Sequence, residues 1–66
     1  MNLNKNAILA ILEKENWSFS KFALELGISR ATVSRVMNGQ RSPSGVFISA
    51  FKKRFPKKSI DKYFFV

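Results

Sequence analysis

The chain contains no cysteine and no histidine. No disulfide can therefore staple so small a fold, and the donor sets of structural zinc sites are missing. The same absences remove the commonest nucleophiles and proton-transfer groups. Only four acidic residues are present. Glu13, Glu15, Glu25 and Asp61 are scattered, each near basic side chains, an arrangement unsuited to paired-carboxylate catalysis. No enzymatic activity and no cofactor are expected. Long hydrophobic runs are lacking too: the longest near the start, Ala7 to Leu12, is too short to span a bilayer, and no small-residue cleavage site follows it. The expectation is an uncleaved cytoplasmic protein, with no membrane segment.

What is present is compact and basic. Sixty-six residues make one domain, 1–66, which hides only about 60% of the surface its unfolded chain exposes. No inducer-binding domain and no small-molecule ligand are expected. Hydrophobic residues make up 45% of the chain and nine residues are aromatic, enough for an all-α core or for one shared across a dimer. Twelve Lys and Arg against four acids give a net charge of +8, a field that attracts polyanions. The charge is uneven. Residues 1–40 carry five basic and three acidic side chains, a balance of +2, whereas residues 41–66 carry seven and one, a balance of +6.

Apolar residues at 8, 11 and 12 predict a first helix from Asn4 to Glu15, with Asn2 or Asn4 as N-cap. Ser18 reads as the N-cap of a second helix, because Trp17 and Phe22 hold the two positions of a hydrophobic staple. Phe19, Phe22, Ala23 and Leu26 continue it, and Gly27 ends it in the left-handed conformation that glycine takes at no steric cost. Ile28, Ser29 and Val33 repeat the staple and cap, opening a third helix that ends at Asn38-Gly39. Two short helices joined by so brief a glycine turn describe a helix-turn-helix. "QRSPS" is a loop in which Pro43 or Ser44 starts a fourth helix carrying Phe47, Ile48, Phe51 and Phe55, stopped by Pro56. Ser59 caps a short fifth helix, Ile60 to Phe65, or residues 59–66 run as an extended arm.

The third helix carries the functional signal. Val33, Val36 and Met37 form its apolar face, leaving Arg30, Ala31, Ser34, Arg35 and Asn38 on the other. A helix that enters the DNA major groove needs short side chains where its backbone nears base edges and longer hydrogen-bonding ones beside them. Arg pairs bidentately with guanine, and Ala or a Thr methyl touches thymine.

Residues 18 to 44, including "FSKFALELGISRATVSRVMNGQRSPS", resemble the helix-turn-helix of Cro/CI-type phage repressors, the XRE-like regulators. Ala23, Gly27, Phe22, Leu26, Ile28, Val33 and Val36 fill the family's positions, with "SRATVSR" and "NG" in order. The resemblance implies a compact all-α, five-helix, lambda-repressor-like fold that binds double-stranded operator DNA. It places Arg30, Ala31 and Arg35 on base-reading positions, with Thr32 and Ser34 at the groove edge. Asn38, Gln40, Arg41, Ser42 and Ser44 fall where the family holds phosphates, through side chains and through amides at the start of the fourth helix. The family often has Gln as the first residue of the second helix; here it is Phe19, which packs against Trp17 or the first helix, so Ser18 or Ser20 supplies the backbone contact instead.

Two further features need placing. "FKKRFPKK", residues 51 to 58, holds five of the twelve positive charges. At the far end of the fourth helix it is assigned to long-range attraction, to the helix dipole or to solubility. The terminal "YFFV" must seal the core, bury against another subunit, or both. Repressors of this type bind two half-sites about 34 Å apart as two-fold dimers. A homodimer is therefore expected, formed or tightened on DNA, with Tyr63, Phe64 and Phe65 contributing. A cationic membrane-surface peptide would need one continuous amphipathic helix, which the caps, Gly27, Gly39 and Pro56 interrupt. A protein-binding helix-turn-helix module, an antitoxin or an antirepressor partner, uses the same scaffold and stands as the alternative.

Overall fold

The computed structural model describes residues 2–65. Met1 and Val66, the ends of the expected 1–66 domain and 59–66 arm, lie outside them. Five helices follow one another: α1 (Lys5–Glu15), α2 (Phe19–Leu26), α3 (Arg30–Met37), α4 (Gly45–Arg54) and α5 (Ile60–Tyr63). Two short strands, β1 (Asn2–Leu3) and β2 (Phe64–Phe65), pair antiparallel with Asn2 opposite Phe65 and Leu3 opposite Phe64.

Each of the first four helices starts on a side-chain cap. Asn4 Oδ1 accepts from the Ala7 N–H at 3.3 Å, Ser18 Oγ from Lys21 at 3.1 Å, Ser29 Oγ from Thr32 at 3.1 Å and Ser44 Oγ from Phe47 at 3.2 Å. Each satisfies an amide that the helix itself leaves without a partner. Three helices also end alike. Asn16, Gly27 and Gly39 have φ of 58°, 72° and 76°. The following N–H then turns back onto a carbonyl of the last turn: Trp17 to Leu12 at 2.8 Å, Ile28 to Ala23 at 3.1 Å and Gln40 to Arg35 at 2.9 Å. This closure is a Schellman motif. α4 ends differently: Phe55 precedes Pro56, which disfavours the helical region for it, and it leaves that region at φ −123°, ψ 66°.

The core gathers Ile8, Ile11 and Leu12 of α1, Phe22, Ala23 and Leu26 of α2, Val33, Val36 and Met37 of α3, Phe47 and Phe51 of α4, and Tyr63 and Phe64. Its centre is aromatic. The Phe51 ring lies 5.0 Å from Tyr63 and 5.3 Å from Phe64 between centroids, and Phe47 reaches Phe64 at 6.1 Å and Phe22 at 6.4 Å. Trp17 stacks on Phe22 at 6.5 Å, the contact the expected staple called for.

The tail departs from the expected fifth helix over Ile60 to Phe65. The helix stops at Tyr63, and Phe64 opens to φ −135°, ψ 133°. The change lets the chain ends satisfy each other's backbone groups: the Asn4 N–H donates to the Tyr63 carbonyl at 2.7 Å, and Asn4 Nδ2 to the Lys62 carbonyl at 3.0 Å. Tyr63 and Phe64 are thereby drawn into the chain's own core at 4% and 1% exposure. Phe65 alone of the expected dimer trio keeps a broad exposed surface, at 49%.

Candidate nucleic-acid interface

α2 and α3 pack on each other across the turn Gly27-Ile28-Ser29, and α4 backs α2. This support determines which side of α3 is free. At about 100° per residue, Val36, Val33 and Met37 fill an arc of about 100° that faces the core. All three are buried. Arg30, Ser34, Asn38, Ala31 and Arg35 share the opposite arc of about 140°. Of these, Arg30, Ala31, Arg35 and Asn38 are exposed and Ser34 is partly so. Thr32, at the rim between the arcs, is half-buried.

Charge on this face is uncompensated. Glu25 takes part in both ion pairs found among the described residues, with Lys21 at 2.9 Å and Arg54 at 2.8 Å. Arg30, Arg35 and Arg41 therefore make none, and their guanidinium groups keep all five donors for another molecule. The smaller polar groups are partly committed within the chain. Thr32 Oγ1 lies 2.8 Å from Ser29 Oγ, and Asn38 Nδ2 donates to Ser34 Oγ at 3.3 Å. Such pairing fixes rotamers and leaves each group further capacity for a partner.

The expected backbone-contacting residues fall into two sets. Ser18 and Ser44 are exposed N-caps whose Oγ atoms are engaged by Lys21 and Phe47, and Ser20 is exposed in the first turn of α2. Asn38, Gln40, Arg41 and Ser42 are exposed in the segment that follows α3, and Asn38, Arg41 and Ser42 border one notch. Phe19, in the place of the family's Gln, is half-buried and shares a shallow groove with Leu9, Leu12 and Trp17 between α1 and α2.

Three roles were not visible in the sequence. Arg54 does not act with its lysine neighbours. Its Nε donates to Glu25 Oε1, and its guanidinium lies 5.5 Å from the Trp17 ring centroid and 5.0 Å from that of Phe55. It ties α4 to α2, whereas Lys52, Lys53 and Lys57 stay exposed. Glu25 is the reciprocal case: a hydrogen bond from Lys21, then one from Arg54, hold its carboxyl below the ordinary range. Asn2, which the sequence offers only as an alternative N-cap of the first helix, and Lys5, which it does not single out, border the same notch as Arg41.

Comparison with known proteins is consistent with this geometry. The profile of the helix-turn-helix family matches residues 8–61. A protein of Bacillus subtilis (strain 168), described as the uncharacterized HTH-type transcriptional regulator YvzC, is 31% identical over 65 residues, spanning 98% of this chain and 84% of its own length. No solved structure matches the chain.

Proposed function

The chain belongs to the helix-turn-helix family, and from that premise we propose that it is a sequence-specific regulator of transcription that lays α3 in the major groove of double-stranded operator DNA. Within that class we read it as a Cro-like repressor of phage or prophage type. It works in the bacterial cytoplasm, by binding alone, as a homodimer on two half-sites.

The observation that carries the reading is the outer arc of α3. Two arginines that form no ion pair among the described residues flank an alanine there, on a helix whose other side is locked into the core. Bare backbone beside forked donors is what base edges in the major groove accept. Arg30 and Arg35 read bases, Ala31 and the Thr32 methyl offer apolar contact, and Ser34 lies at the groove edge. Asn38, Gln40, Arg41, Ser42 and Ser44, with Ser18 and Ser20 at the start of α2, hold phosphates. The relative's description as a transcriptional regulator supports the broader reading of a regulator of transcription.

Selection of binding sites from a random duplex library, followed by Arg30→Ala on the selected site, tests it. A base reader loses about 1–3 kcal/mol on its operator and little on unrelated duplex. Affinity should also fall steeply with salt, the logarithmic slope being about −0.9 per phosphate neutralised. A protein-binding module would select no sequence, and its Arg30→Ala variant would bind every duplex as the wild type does.

A further inference from the structure

Beside the end of α3 the surface is indented by a notch of about 280 Å³. Lys5, Asn38, Arg41 and Ser42 border it together with the buried Met37 and Pro43. Its lining holds two cations and no acidic side chain. Among the described residues neither cation takes part in an ion pair. The amide N–H groups of Arg41 and Ser42 likewise have no partner among the described residues.

We propose that this notch seats a phosphate of the DNA backbone, with Lys5 reaching it from α1 opposite Arg41. The proposal rests on α3 being the groove helix: three of the residues assigned to backbone contact border the notch, so a strand tracked by Asn38, Arg41 and Ser42 passes its mouth. A single phosphate oxygen set fits between an ammonium and a guanidinium, the two groups that recognise it best. It also explains an otherwise idle feature of the fold. Lys5 follows directly on Asn4, which the Tyr63 and Lys62 carbonyls hold at 2.7 and 3.0 Å. The paired chain ends thus set the base of the Lys5 side chain across from the loop after α3 and make it part of the binding surface.

Lys5→Ala, Lys5→Arg and Lys52→Ala, the last two turns along α4, are compared with the wild type on the selected operator and on an unrelated duplex across a salt series. Lys5→Ala is expected to weaken both duplexes by the same factor and to flatten the logarithmic salt slope by about 0.9, the value for one phosphate. Lys5→Arg should restore the slope, and Lys52→Ala should change it less than Lys5→Ala does. An unchanged slope and affinity in Lys5→Ala, while Arg30→Ala still erases sequence preference, overturns the seat and leaves the groove reading standing. Loss of sequence preference in the wild type itself removes the groove reading first. Titration with inorganic phosphate, followed by NMR, separates the sources: shifts at Lys5 and Arg41 with a Lys5→Ala salt slope equal to wild type would mark a seat for a free anion and overturn the DNA assignment.

Discussion

Gly27 stands at φ 72°, ψ 29°, and a Cβ placed there would meet no atom within 4 Å. The cost of a side chain at this position is therefore conformational and not steric. Gly27→Ala should destabilise the fold by about 1–2 kcal/mol, seen as a lower urea midpoint with an unchanged slope, while the helical signal of the folded protein persists. This residue could be read from the sequence because glycine carries the left-handed turn with little competition. Asn16 performs the same closure at φ 58° and could not. Asparagine enters that region only as one of several conformations, so its identity alone does not announce a helix end. Arg54 was hidden for another reason. Its neighbours Lys52 and Lys53 make it look like one of a run of charges, and its partner Glu25 stands 29 residues away.

The three closely spaced helices α2, α3 and α4 differ in how they are held. α2 and α3 are joined by a cap, a turn and a shared apolar seam, all local in the chain, and their limits followed from Ser18, Gly27, Ser29 and Gly39. α4 is fastened to α2 by apolar packing and by the Arg54–Glu25 ion pair, which no local pattern records, whereas Lys21 joins the same carboxylate from one turn away within α2. Lys21 and Arg54 both lower the Glu25 proton affinity in the folded chain. Unfolding thus takes up a proton at Glu25 in acid, and the stabilisation by this cluster is full above the ordinary glutamate value of about 4.3 and fades as the pH falls through the lowered folded value. Glu25→Gln should accordingly show a flatter acid limb in melting temperature against pH than the wild type. Because Glu25 keeps 23% of its side-chain exposure and its partners more, high salt should shrink the difference. The face of α3 was legible because its two arcs differ in chemistry as well as in period. The notch beside it was not, since it is assembled from residues 2–5 and from the end of α3 with the loop after it, more than thirty residues apart in the chain.

For the molecule as a whole, an aromatic core reaches from Trp17 through Phe22, Phe47, Phe64 and Phe51 to Tyr63, and it takes in two of the three residues expected at a dimer contact. Removing the tail after Lys62 would strip that core and unfold the protein, so it cannot probe association. Phe65→Ser can. If the homodimer proposed above uses the exposed Phe65 ring, this variant should keep its melting temperature, sediment more as a monomer, and bind a two-half-site operator more weakly than the wild type while matching it on a single half-site. Equal sedimentation and equal operator affinity would place the contact elsewhere. The all-α class and the order of the helices were legible from caps and apolar stripes, whereas the β1–β2 pairing was not: strands of two residues have no period, and nothing near Asn2 points to Phe65. That pairing has an outcome for anyone building with this fold. Residues opposite each other in such a ladder lie only about 5 Å apart, so a fluorescent reporter attached at Asn2 or at Phe65 leaves from the same corner of the fold.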